Sequence, residues 1–449
     1  MLATPLLLPA LWLLAQEPSL PDALPPLPDD LLKDTSDNDD DGVSPRFFAQ
    51  ARVRGELDGA RSFSRADDTH AGAALSGQIG AVANVGELQT ARVVIVIGEG
   101  GRIGPPSAAP LLLPRPAVPQ LLEVALVCDT RLAGQAATLI VGRAPVVVAD
   151  GRLVGRESYD ARGRTLDGAS VRAGNHAFRA GAGAYWLGPY TADASDDGEA
   201  LSALLVIEAA AHVGGRDDDD GLALASYLLL HRDGRARLTT PTIGARIEGT
   251  ALSFLRGRAG ADAQAFAIDG DDPFAPAGTA FHLECGARAT APLSTALSPR
   301  VPDVFLATVL EATTGDVVGG RSFRAPAPSQ HGALGLLDLV AMDNTWSAAV
   351  SAGALDSRGL LIDLALRMIG LVQSTGPLLD TAGESLAVRV GGGIALLEID
   401  ARLQVPLGDA LSLDMGYAVG LPGRALIGDQ PAQRLYVSLT GSAGEATTP

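Results

Sequence analysis

The chain has 449 residues, 47% of them hydrophobic and only 4% aromatic, with 53 glycines and 29 prolines. Its 34 basic residues, all arginine apart from Lys33, stand against 52 acidic ones, and a net charge of -18 excludes nucleic acid, whose binding rests on neutralised phosphates. Cys128 and Cys285, the only cysteines, lie far apart in sequence and support neither a disulfide framework nor a cysteine-based metal cluster; they either pair with each other or stand as two separate core thiols, the second being the expectation.

Residues 1–15, "MLATPLLLPALWLLA", form an apolar core of signal-peptide length, too short and proline-broken to span a membrane as a helix. No later stretch offers an uninterrupted apolar run for a spanning helix, so a membrane form of the chain has to cross as strands. Residues 16–45 are rich in proline and aspartate, a composition that cannot bury enough surface to fold and that predicts a solvated linker. Within it Asp37, Asp39 and Asp41 are spaced like the start of a calcium loop. The twelfth ligand position of that loop falls on Phe48, so a tether with weak or absent calcium binding is expected.

From residue 46 the periodicity becomes two. In "RFFAQARVRGELD" the even positions carry Arg46, Phe48, Gln50, Arg52, Arg54, Glu56 and Asp58, an almost wholly polar set, while Phe47, Ala49, Ala51, Val53, Gly55 and Leu57 fill the odd ones. Further on, "ARVVIVIGEGGRIG" looks at first like the opening of a dinucleotide-binding unit, through Gly98 and Gly100. Ile103 stands where the third glycine belongs, and the proline-rich "PPSAAPLLLPRPAVP" that follows cannot form the helix whose N-terminus would hold a pyrophosphate. A strand ending in a loop from about Gly98 is the expectation.

Alternation returns in "TIGARIEG", with Arg246 and Glu248 opposed to Ile243, Ala245 and Ile247, and in "RLYVSL", with Arg434, Tyr436 and Ser438 opposed to Leu435, Val437 and Leu439. A soluble sandwich turns its apolar face inward, whereas an outer-membrane barrel turns that face to lipid and lines a lumen with the polar one. The signal-like start, the number of amphipathic strands and acidic turns such as "GGRDDDDG" and "IDGDDP" favour the barrel. Residues 46–441 are therefore expected to form one antiparallel β-barrel of about 18 strands, followed by a tail over 442–449, in the outer membrane of a Gram-negative bacterium.

The stretch "ATLIVGRAPVVVADGRLVGRESYDARGRTLDGASV" resembles the signature of the alginate-export family of outer-membrane barrels: a Gly-Arg-Gln strand end, an Arg-Leu-x-Gly turn and an Arg-Thr-Phe-Asp-Gly strand start. Gly142 and Arg143 match the first, with Ala144 in place of glutamine; Arg152, Leu153 and Gly155 match the second; Arg164, Thr165, Asp167 and Gly168 match the third, with Leu166 in place of phenylalanine. Arg52, Arg54 and Glu56 are similar to the family's first strand, and Arg92 to the arginine of its Gln-x-x-Arg strand. Gly315, Asp316, His331, Gly335, Asp338 and Asn344 follow in the family's order, and so do Glu398, Asp400, Gly416, Tyr417, Pro422 and Gly423 in the closing strands. The resemblance implies a monomeric channel for passive export or diffusion of an anionic polysaccharide or a small anionic solute, without cofactor.

It also implies that Arg52, Arg54, Arg92, Arg143, Arg152, Arg164 and Arg246 line the lumen together with Glu56, Asp167, Glu248, Asp338 and Asp400. Guanidinium groups are permanently charged planar donors suited to carboxylates and phosphates. The same arginines could instead pair with these acids and merely keep the interior satisfied. Catalysis is not expected: no H-E-x-x-H helix or G-x-S-x-G elbow occurs, the six histidines are scattered, and Glu398 and Asp400 share one strand face where a hydrogen-bonding role suffices. A plugged structural or adhesive barrel and a secreted carbohydrate-binding β-sandwich remain as alternatives.

Overall fold

The computed structural model describes residues 46–59, 63, 69–85, 91–103, 120–149, 151–155, 165–175, 177–187, 202–213, 221–233, 238–252, 254–268, 278–291, 303–316, 321–323, 325–326, 335–337, 339–356, 359–379, 385–386, 388–389, 393–408 and 410–444. The expected signal peptide and acidic linker, with Asp37, Asp39 and Asp41, lie outside the described residues, as do His331, Arg164 and Asp338.

Strands β1 (Arg46–Gly59), β2 (Thr69–Val85), β3 (Ala91–Ile103), β4 (Gln120–Leu132), β5 (Gln135–Ala144), β6 (Leu166–Gly174), β7 (Phe178–Leu187), β8 (Ser202–Val213) and β9 (Leu222–Asp233) are successive antiparallel neighbours. The series continues through β10 (Leu238–Leu252), β11 (Leu255–Ile268), β12 (Gly278–Ala291) and β13 (Asp303–Thr313), after which β14 (Gly315–Asp316) and β15 (Arg321–Ser322) make a small separate hairpin. β16 (Thr345–Leu355) and β17 (Leu361–Leu371) resume the wall, a second small pair of β18 (Leu378–Leu379) and β19 (Ser385–Leu386) intervenes, and β20 (Ile394–Gly408), β21 (Leu411–Pro422) and β22 (Ala432–Gly444) complete it.

β22 pairs back onto β1, with Phe48 opposite Gly444 and Gly59 opposite Gln433. The 18 wall strands thus form one closed antiparallel barrel, which removes every sheet edge, and the described residues include no helix. This agrees with the all-β barrel and the strand number expected from the alternating sequence. The last strand runs to Gly444, three residues past the expected boundary at 441.

Face polarity follows the alternation. On β1 and β2 the outward positions are Phe47, Val53, Leu57, Leu75 and Ile79, the last of them 67% exposed, while Arg54, Asp58 and Ser76 on the other parity are buried. Across the wall on β17, Ile362, Leu364 and Leu366 point out and Arg367 points in. Apolar side chains bare on the outside and charges sheltered inside are the inverse of a water-soluble sandwich.

β3 departs from the expected loop. It continues to Ile103, its last residues paired with Ala73 through Ser76 of β2. Its aliphatic run also serves both faces: Ile95 and Ile97 are exposed, whereas Val94 and Val96 are buried with Leu122 and Val127 and packed by Phe48, Val82 and Ile140. Glycines at positions 98, 100 and 101 therefore sit in paired strand, where a glycine-rich pattern had suggested a turn.

The connections differ at the two ends of the barrel. At one end Ala133 and Gly134 alone join β4 to β5. At the other, the chain leaving β5 and the chain entering β16 turn inward, giving two segments, residues 145–149 with 151–155 and residues 335–337 with 339–343, that pack inside the wall.

Candidate functional site

The first inward segment is a tight hairpin closed by a bridge between Val148 and Val154, whose N–H and C=O groups bond at 2.9 and 3.5 Å, and by Arg152 N–H donating to Ala149 C=O at 3.0 Å. Val146, Val148, Leu153 and Val154 pack against Leu204, Val206, Tyr227, Leu229 and Phe266 of β8, β9 and β11. The hairpin presents Arg152 to the far wall. Its guanidinium contacts both Glu284 on β12 and Glu311 on β13, seven and eight strands round from β5.

Those two glutamates stand directly opposite one another in the β12–β13 register. Like charges at paired positions destabilise a sheet unless a cation lies between them, and Arg152 supplies one. Arg246 on β10 supplies a second, its Nε 3.0 Å from Glu284 Oε1. That reach passes over Gly260 on the intervening strand, where an added Cβ would come within 2.8 Å of the same oxygen. Beside them, His282 Nδ1 lies 2.8 Å from Asp262 Oδ2, and Tyr227 O–H donates to Asp262 Oδ1.

The second segment is held differently. Leu336, Leu337, Leu339 and Val340 join Ile369, Leu371, Leu396, Leu426 and Phe63 in the largest buried apolar cluster. Leu337 N–H donates to Glu398 Oε1 at 2.8 Å, an approach that requires glycine at 335, since a Cβ there would lie 2.5 Å from that oxygen. Arg434 Nη1 donates to Leu336 C=O at 3.2 Å while its Nε bonds Asp58 Oδ1 at 2.8 Å across the β1–β22 seam. Asn344 braces the following chain, accepting Gln373 N–H at 2.7 Å and donating to Gln373 C=O and Pro377 C=O.

The residues picked out by sequence fall into three groups. Arg52, Arg54, Glu56, Arg92, Arg152, Arg246, Glu248 and Asp400 lie on the inner side, by strand parity or, for Arg152, on the inward hairpin. Most have partners there: Arg54 Nε is 2.8 Å from Glu56 Oε1 and stacks 4.3 Å over the Tyr436 ring, Arg92 reaches Asp129 at 3.3 Å, and Glu248 meets Arg256 at 2.9 Å. Asp400 is buried beside Glu398 on β20. Arg164 and Asp338 lie outside the described residues.

Arg143 and Asp167 form the third group and correct the expectation. They pair at 2.7 and 2.6 Å, but on the outer side: Arg143 shares its parity with exposed Leu139 and Val141, and Asp167 stands opposite Trp186, itself 51% exposed. Both lie at the ends of their strands nearest the long connections, where an outer face meets the polar boundary of a bilayer and tolerates charge next to tryptophan. Sequence reasoning passed over Asp262, His282, Glu284, Glu311 and Arg367, although His282 and Glu284, two apart in "FHLEC", carried the strand-face signal.

An 18-stranded closed barrel, apolar outside, charged inside and narrowed by inward chain, is the architecture of a porin. The solved structures that this chain matches are of that kind. A BenF-like porin from Pseudomonas fluorescens Pf-5 superposes with a TM-score of 0.62 at 11% identity, over 89% of this chain and 99% of the other. OccAB2 of Acinetobacter baumannii gives 0.57 at 10% identity over 90% and 98%, and OpdK of Pseudomonas aeruginosa 0.55 at 12% over 90% and 100%. No known protein-family description and no curated protein sequence matches the chain.

These neighbours overturn the resemblance to the alginate-export family. The matched pieces were short strand ends and turns, and their residues prove to serve local needs of a wide barrel: Arg152 neutralises a glutamate pair, Gly335 makes room for a carboxylate, and Arg143 sits on the outside. An anionic polysaccharide as solute falls with that resemblance.

Proposed function

We propose that the protein is a monomeric porin of the Gram-negative outer membrane that lets small solutes diffuse passively, anions in preference. The observation that carries this reading is the inversion of faces, aliphatic side chains bare on the outside and arginines with their acids on the inside, in a barrel with no edge. The short-turn end, with both strand termini β1 and β22, then faces the periplasm and the long connections face outward. Passage requires no chemical step and no cofactor.

Fixed guanidinium charge in a confined, low-dielectric path raises the local anion concentration. Arg152 and Arg246, with Arg258 and Arg367 on neighbouring rows, set four guanidinium groups against the carboxylates of Glu284, Glu311 and Asp262 where the hairpin meets the wall. OpdK, one of the structural neighbours, was solved with vanillate, a small molecule in keeping with a narrowed path. The deciding measurement is single-channel recording in a planar bilayer under a salt gradient. A reversal potential on the anion side supports the reading; a cation-selective channel overturns the preference, and a silent, fully folded barrel overturns conduction altogether.

A further inference from the structure

We propose that His282, Glu284 and Glu311 form a binding site for a divalent transition-metal cation of the zinc class, with the Arg152 guanidinium as its built-in competitor. One ligand atom from each of the three side chains lies within 4.8 Å of the others, and all three residues are buried. An imidazole nitrogen with two carboxylate oxygens is a donor set that zinc accepts, leaving a fourth position open for water or solute.

The histidine is oriented for this role. Asp262, itself held by the Tyr227 hydroxyl, takes the Nδ1 proton of His282 at 2.8 Å, which leaves Nε2 as the lone-pair nitrogen. A carboxylate behind the imidazole is the arrangement that fixes ring and tautomer at metal-binding histidines. Nε2 points toward Glu311 Oε1, 3.9 Å away, and has no hydrogen-bond partner among the described residues although His282 is 1% exposed. A buried nitrogen acceptor without a donor is costly, and a cation between it and the glutamates would satisfy it.

Arg152 already contacts both glutamates, so a metal ion and the guanidinium contend for the same oxygens. A dication neutralises both carboxylates and engages Nε2 as well. Its arrival displaces Arg152 and removes the ionic tie between the hairpin and strands β12 and β13. The site therefore couples metal occupancy to the position of the segment that narrows the bore.

The test uses the full chain folded in detergent, with heat-modifiable gel mobility confirming closure, and none of its readouts depends on conduction. Calorimetric titration with Zn2+ should show one site. Arg152→Gln should tighten it, His282→Ala should weaken it by at least about 10-fold, and Asp262→Asn should weaken it by about 10- to 100-fold, as loss of an orienting carboxylate does. Mg2+, which prefers oxygen ligands and retained waters, should not compete. Binding that Arg152→Gln leaves unchanged or weakens, or that a folded His282→Ala retains in full, overturns the proposal. On the wild type alone, Co2+ must give visible absorption bands of a nitrogen- and oxygen-ligated centre, and their absence overturns it whichever variants fold.

Discussion

The two inward segments solve the same problem, holding chain inside a barrel, by different means. The hairpin after β5 packs apolar side chains against β8, β9 and β11 and is tied to the adjoining β12 and β13 through Arg152 and two glutamates. The segment entering β16 sinks Leu336, Leu337 and Leu339 into a continuous apolar cluster, donates a hydrogen bond to Glu398 and accepts one from Arg434. An ionic tie between buried side chains responds to metal and charge; an apolar anchor responds to little short of unfolding. The difference assigns adjustable narrowing to the first segment and permanent bracing to the second.

The sharpest blow to that contrast falls on the brace. Arg434→Gln leaves Asp58 buried without its ion pair on the seam and is expected to cost about 3–5 kcal/mol, read as a lower urea midpoint for unfolding in detergent. Leu337→Ala, which empties part of the apolar anchor, should cost about 2–5 kcal/mol by cavity formation, with ion selectivity unchanged in whatever fraction folds. Arg152→Gln belongs to the other class. It should shift the reversal potential toward cations and enlarge conductance fluctuations as the hairpin loosens, while the urea midpoint moves less than for Arg434→Gln because Arg246 still neutralises Glu284 and the charges of Arg258 and Arg367 still act on Glu311. A midpoint loss equal to that of Arg434→Gln would make the hairpin tie a structural brace and erase the contrast.

Arg143→Ala should matter least. An exposed pair contributes about 0–1 kcal/mol, and a residue on the outer face has no part in the conduction path, so the reversal potential should stay at the wild-type value. A clear selectivity change in this variant would place Arg143 in the lumen and contradict its position beside the outward Asp167 and Trp186.

Much of the wall was legible in the sequence because the strand period of two writes face polarity directly into residue order: Arg52, Arg54 and Glu56 against Val53 and Leu57 is enough to place β1. The same rule failed at Arg143 and Asp167, since near a strand end both faces of a barrel are polar surroundings. It failed again at Val94 and Val96, where an apolar inner face is buried by neighbouring inner side chains rather than by lipid. The cluster around His282 was only half visible. Its own strand shows His282 and Glu284 on one face, but Glu311 joins them through the β12–β13 register and Arg152 through a hairpin that crosses the bore, and neither relation is local in sequence.

The seam between β1 and β22 also dictates an order of events in assembly. Asp58 and Arg434 are partners separated by 376 positions, so the first strand waits for the last before its second neighbour exists. Until then the growing sheet carries two unpaired margins, each a template for wrong pairing, and the long loop between them must be closed before its contacts give any return. Shortening the chain within the final strand would therefore not trim the barrel but leave it open along the β1–β22 joint.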